Sequence, residues 1–300
     1  MISAEHIELI TNSFFNPKKL TNHKINISND ILFFLIENKV LVRFNELLIN
    51  HNISLNINLE DDYKRELKRI KANKKMIKSI AKSLNNYQKD LIFFKNFQHS
   101  PDMGDDIDIM VLKNYSAIKS KLIDDFSLIE KQQTILNRLA RKCMLIDSAK
   151  GIEIELHNAR LGRFGEFKLP HSIINLCKKE DGGIYVPSDE LQLIINIIQR
   201  LYTRFYIRVS EILFLKLNLS SDFNWKLTKD IAEKFGIRKG MDFYLKVINS
   251  LFISTDENSN LFSLNSAHKA IFLKKSLLYL NKFQVAPFFV LKLLKRNRKV

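Results

Sequence analysis

Only two cysteines, Cys143 and Cys177, occur in 300 residues, and neither has a second cysteine or a histidine at zinc-ligand spacing. That scarcity excludes a disulfide framework and a closed zinc site, and it fits a reducing compartment. Long apolar runs are also missing. The late stretch "VAPFFVLKLL" is interrupted by Lys292 and is shorter than the roughly 20 residues a bilayer-spanning helix needs. The opening "MISAEHIELI" is acidic where a secretory leader is basic, and it lacks an apolar core. The expectation is a soluble, cytoplasmic protein with no membrane partner. No internal repeat and no low-complexity segment is visible.

Positive charge is what the chain has in excess. Its 48 Lys and Arg stand against 32 Asp and Glu, a formal net charge of +16. Such a surface draws polyanions such as RNA, DNA or nucleotides, although abundant Lys, Asn, Ile and Phe are also the signature of AT-rich coding, which enriches lysine without a binding role. With 46% hydrophobic residues the chain can bury a full core, and its length suits two or three modest domains.

Periodicity divides the chain into helical residues 1–88, a mixed core over 89–170, and helical residues 171–300 ending in a basic tail. "NDILFFLIENKVLVRFNELLINH" is apolar around much of its circumference, as a buried helix or helix pair is. In "DDYKRELKRIKANKKMIKSIAKSLNNYQ", Leu67, Ile70, Ile77, Ile80 and Leu84 share one helix face. Its other face carries Lys64, Arg65, Lys68, Lys71, Lys75, Lys78 and Lys82, which reads as a solvated surface before it reads as a phosphate-binding strip. "LIFFKNF" and "DDIDIMV" then switch to extended period two. "YSAIKSKLIDDFSLIEKQQTILNRLARK" reads as one helix, "CMLID" and "IEIELH" as a hairpin turned by "SAKG", and "SDELQLIINIIQRLYTRFYIRVSEILFLKL" as a long helix capped by Ser188. Trp225 and the aromatics of "LYTRFYIRV" read as packing residues. A helix pair broken at Gly236 has the cadence of a DNA-reading hairpin but fits plain packing better. The tail residues Lys292, Lys295, Arg296, Arg298 and Lys299 read as a phosphate-binding arm or a solubilising end.

The acidic motif carries the chemistry. Residues two apart in a strand point the same way, so Asp106 and Asp108 share one face while Ile107, Ile109 and Val111 take the other. In "IEIELH" the same alternation sets Glu153, Glu155 and His157 opposite Ile152, Ile154 and Leu156. Paired carboxylates repel and are costly to bury without a cation. If the two strands are neighbours with polar faces aligned, they present a cage for Mg²⁺ or Mn²⁺. A D-x-D at a strand start is also common as a solvated turn. Asp105 reads as a turn or cap residue, Gly104 as a turn glycine or a point of close approach, and His99 and His157 as surface histidines.

These residues resemble the polymerase β-type nucleotidyltransferase superfamily, and most closely its divergent nucleotidyltransferase-like families. The resemblance rests on the apolar strand "LIFFKN", the motif "DDIDIMV" ten residues after Asn96, and "IEIELH" followed by "RLGRFGEF". It covers roughly residues 88–170, with a looser helical similarity to about 245. It implies an α+β fold, a small mixed nucleotidyltransferase-type sheet flanked by N-terminal and C-terminal helical regions. It implies transfer of NMP from an NTP to an acceptor, with RNA a reasonable acceptor for so basic a chain. It gives Asp106 and Asp108 as metal ligands and Glu155, or alternatively Glu153, as the third carboxylate. Lys95, Asn96, Gly104, Arg160 and Arg163 are its candidate nucleotide contacts. Where members of the superfamily carry Gly followed by Gly or Ser, this chain has Lys95-Asn96. That departure favours the alternative of a catalytically silent fold serving as a nucleic-acid-binding or toxin/antitoxin-type interaction module.

Overall fold

Period-two alternation in "DDIDIMV", "CMLID" and "IEIELH" produces one mixed sheet. A computed structural model describes residues 4–17, 20, 29–53, 59–97, 99–204, 206–219, 221–255 and 259–262. The sheet contains β1 (Leu91–Phe93), β2 (Ile107–Val111), β3 (Ile129–Glu130), β4 (Lys142–Asp147) and β5 (Ile152–Asn158), in the order β1-β2-β5-β4-β3. β2 and β5 run parallel, and every other pairing is antiparallel. The expected α+β architecture is therefore present, as is the β4–β5 hairpin.

Helices cover both faces of this sheet. N-terminal to it lie α1 (Ala4–Ser13), α2 (Asn29–Glu37), α3 (Leu41–Asn50) and α4 (Glu60–Ser83). Ile107, Ile109, Val111, Ile154 and Leu156 point into one layer, where they pack with Ile70, Ile77 and Ile80 of α4 and with Ile118 and Leu122 of α5 (Tyr115–Phe126). The lysine-rich face of α4 is solvent-exposed, as a solvated strip should be. Ile92, Phe94 and Met110 enter the opposite layer, a core shared by residues of α2 and α3 and by α7 (Asp189–Gln199). N-terminal and C-terminal helices thus meet over the same side of the sheet.

Two segments expected to be single helices are broken. Residues 115–142 split into α5, β3 and α6 (Ile135–Ala140). Ser127 turns left-handed at φ 51°, and Ile129 and Glu130 then pair with Ile146 and Leu145 of β4, so open ladder positions on the sheet edge outcompete helical continuation. Residues 188–217 also split. α7 starts at its Ser188 cap and widens into π-helical turns over Arg200–Arg204, and α8 (Val209–Leu213) follows. Here the Glu211 carboxylate accepts the Arg208 amide at 3.2 Å, and Asn38 Oδ1 accepts the Val209 amide at 3.0 Å, so a fresh helix start replaces the old axis. Two short hairpins, β6 (Arg160–Leu161) with β7 (Phe167–Lys168) and β8 (Cys177–Glu180) with β9 (Ile184–Pro187), lead from β5 to α7. α9 (Trp225–Lys234) and α10 (Arg238–Ser250) form the helix pair about Gly236, and β10 (Phe252–Thr255) pairs with β11 (Ser259–Phe262). The basic tail, Lys292 to Lys299, lies outside the described residues. Among the described residues no helix is long and apolar enough to cross a membrane.

Candidate functional site

The parallel pairing of β2 with β5 fixes the site. Its register sets Asp108 opposite Glu155, so two carboxylates emerge side by side on the polar face. The chain reaches β2 through a loop pinned by Asn96. That buried carboxamide donates from Nδ2 to the Asp106 carbonyl at 2.9 Å and accepts the Asp108 amide on Oδ1 at 3.2 Å. Asn96 is thereby committed to the β2 backbone, and what it positions is the Asp106–Asp108 segment itself.

Cations surround the pair. The Lys95 ammonium bonds Asp108 Oδ1 and lies 3.6 Å from Glu155 Oε2, while Lys142 Nζ lies 3.2 Å from Glu155 Oε1. His157 Nε2 sits between the carboxylates, 3.1 Å from Asp108 Oδ1 and 2.8 Å from Glu155 Oε2. The edge of that imidazole faces the Phe94 ring at 4.8 Å, and no described residue hydrogen-bonds its Nδ1. Burial opposes the Glu155 charge, but His157, Lys95 and Lys142 outweigh it and hold the carboxyl well below its ordinary range. Burial likewise opposes the Lys95 charge, and Asp108, Glu155 and Asp106 reverse that effect and raise its pKa. For Lys142 burial wins, and its pKa falls.

Asp106 stands at the rim, half-buried. The neighbouring Asp108 charge, with burial second, pushes its carboxyl up to about 6. The ligand atoms that converge within 4.8 Å of one another belong to Asp108, Glu155 and His157, so the third converging group is a histidine and Asp106 lies outside the trio. Glu153 shares their strand face but turns to an ion pair with Lys131. His99 and His157, expected at the surface, are both buried. In His157 strand alternation sets the ring on the polar face, which neighbouring elements cover. In His99 burial, then Arg208 and Arg200, push the pKa well down, so the ring is neutral. Asp105 is exposed and pairs with buried Lys39 at 2.6 Å.

Asp106, Asp108 and Glu155 line a cavity of about 420 Å³. Basic residues from the π-helical turns and the segment after them line the same cavity. Arg200, Arg204 and Arg208 line it, with Lys39 nearby. Arg200 is buried against Glu211, Nε to Oε1 2.5 Å, and its guanidinium lies 4.9 Å from the Tyr206 ring. Arg208 donates to the Tyr206 hydroxyl at 3.3 Å. Gly104 and Gly162 complete the rim. At Gly162 φ is +94°, strained for any residue with a Cβ, and the Glu166 Oε2 that a Cβ would meet at 2.0 Å ends a flexible side chain that can move. At Gly104 a Cβ would make ordinary contacts, which leaves it a turn glycine. The candidate contacts Arg160 and Arg163 lie elsewhere: Arg160 donates to the Gly165 carbonyl at 2.8 Å, Arg163 is exposed beside Phe164, and neither is among the described residues lining the cavity.

The basic wall was missed in the sequence, where "LYTRFYIRV" reads as aromatic packing. Its signal was present: arginines at 200, 204 and 208 recur every four residues in an apolar segment. The carboxylate oxygens of Asp106, Asp108 and Glu155 fit a divalent ion of the Mg²⁺ or Mn²⁺ class. No family model, no curated protein and no solved structure matches the chain, so the functional reading rests on this geometry.

Proposed function

We propose that the chain is a metal-dependent nucleotidyltransferase that moves NMP from an NTP to an acceptor, with RNA a suitable acceptor. The observation that carries this reading is a single cavity lined both by the carboxylates Asp106, Asp108 and Glu155 and by Arg200, Arg204 and Arg208. A metal-bound triphosphate needs both: oxygen donors for the cation and fixed positive charge for the phosphates. Asp108 and Glu155 would hold Mg²⁺ or Mn²⁺ with Asp106 closing the rim, and a bound ion there would supply charge neutralisation and activation of an acceptor hydroxyl.

The chain's own groups divide the remaining work. Asn96 keeps the Asp106 and Asp108 backbone in line. His157, donating from Nε2, holds the two inner carboxylates together and aims their remaining lone pairs at the cavity. Arg204 and Arg208 bind and orient the phosphates, and neutral His99 contributes hydrogen bonding without adding charge. The resemblance to polymerase β-type nucleotidyltransferases points to the same three carboxylates, Asp106, Asp108 and Glu155, but to other phosphate contacts.

A second reading, a silent nucleotidyltransferase-like fold that binds polyanions, is favoured by the Lys95 ammonium already resting on Asp108 and Glu155. One experiment separates the two. The pure protein is incubated with each α-labelled NTP, Mg²⁺ or Mn²⁺, and cellular RNA with protein extract, beside an Asp106→Ala, Asp108→Ala double variant. Transfer by the wild type, reduced at least about 100-fold in the variant, is expected. Equal transfer by both proteins removes the assigned site, and intact RNA binding with no transfer moves the assignment to the silent fold.

A further inference from the structure

Lys95 stands where a bound cation would stand. Its ammonium contacts Asp108, lies 3.6 Å from Glu155 Oε2, and shares both oxygens' neighbourhood with His157 Nε2. The stem that delivers it starts from a left-handed backbone, φ 65°, uncommon for a residue with a Cβ, and passes beside the Phe94 ring with the ammonium 4.7 Å from its centroid. Lys95 also lines a second cavity, of about 220 Å³.

Two largely buried carboxylates this close need a positive partner or must take up a proton. Lys95 is such a partner for both carboxylates, with His157 between them and Lys142 on the Glu155 side. A divalent ion entering between Asp108 and Glu155 meets an ammonium on the same oxygen. We propose that Lys95 is an internal stand-in for the metal: it holds the carboxylate pair together in the empty site, metal entry displaces it, and the freed ammonium turns to an anion in the cavity. This rests on the metal-binding reading above and adds to it a built-in competitor. The apparent metal affinity is lowered by the fraction of chains in which Lys95 occupies the pair, and an anion that captures the freed ammonium raises it.

The test uses the full chain and Mn²⁺, with free ion followed by electron paramagnetic resonance. Lys95→Met is expected to bind Mn²⁺ on the order of tenfold more tightly than the wild type, because the competing state is gone. Lys142→Met, which removes equal charge from Glu155 without touching Asp108, is expected to change affinity less. Mn²⁺ should also restore melting temperature lost in Lys95→Met. A measurement on the wild type needs no variant to fold: amine acylation at Lys95, read by peptide mass spectrometry, should rise several-fold with Mn²⁺. Binding that Asp108→Asn abolishes, but that Lys95→Met leaves unchanged or weakens, with no gain in Lys95 acylation, overturns the displacement and keeps the metal site. Absence of Mn²⁺ binding in every protein overturns both.

Discussion

A single carboxamide aligns the acidic motif. Asn96 spends both ends of its side chain on the backbone around Asp106 and Asp108. Asn96→Ala leaves a buried carbonyl and a buried amide unpaired, and is expected to cost roughly 1–3 kcal/mol in urea denaturation while lowering label transfer further than that loss of folded protein explains. The Arg200–Glu211 pair is a second buried charge contact, with side chains 3% and 1% exposed. Glu211→Gln strands the Arg200 guanidinium in the core; the expected cost is about 3–5 kcal/mol, measured as a shift in the denaturation midpoint. Strand alternation put Asp106 with Asp108, and Glu153 with Glu155 and His157, while the family resemblance singled out Glu155 as third carboxylate over Glu153. Sequence reading failed on the histidines because burial depends on what covers a face, which a strand's own residues do not encode.

The elements show the same division between local and tertiary control. Strands with clean period-two patterns were legible together with their hairpin, since alternation fixes which face is buried. The breaks at Ser127 and at 200–208 were not, because neither contains glycine or proline and each depends on a partner outside the segment: the β4 edge in one case, Asn38 in the other. α3 is held from outside too. Its preceding residue, Val40, offers no side-chain cap, and Asp102 from the loop before β2 accepts the amides of Val42 at 2.8 Å and Arg43 at 3.1 Å. Burial outweighs those hydrogen bonds and pushes the Asp102 carboxyl from an ordinary 3.8 to about 6. A folded pKa above the unfolded one means the native state binds the proton more tightly. The contribution of this group is therefore full below about pH 4 and is lost as pH rises through 6. Asp102→Asn removes that titration, so melting curves of variant and wild type are expected to diverge between pH 4 and 7 by up to about 3 kcal/mol. Parallel curves would show that Asp102 does not titrate in this window.

At the scale of the molecule, net charge and charge placement part company. The excess of +16 includes the α4 lysines, which face solvent, whereas the arginines that meet the carboxylates line one cavity. Replacing Lys68, Lys71 and Lys75 by Gln is expected to leave stabilisation of the protein by ATP with Mg²⁺ unchanged. Arg204→Gln, a change of only one charge, is expected to weaken it roughly tenfold or more, followed as the melting-temperature shift against ATP concentration. An equal loss in both variants would assign binding to diffuse surface charge. The cavity joins Lys39, near the start of the chain, to the β2 and β5 carboxylates in its middle and to Arg204 and Arg208 beyond position 200. During synthesis the sheet and its acidic pair leave the ribosome while the arginine wall is still unmade. If the proposed function holds, the carboxylates that would take the cation are synthesised well before Arg204 and Arg208, which would hold the triphosphate.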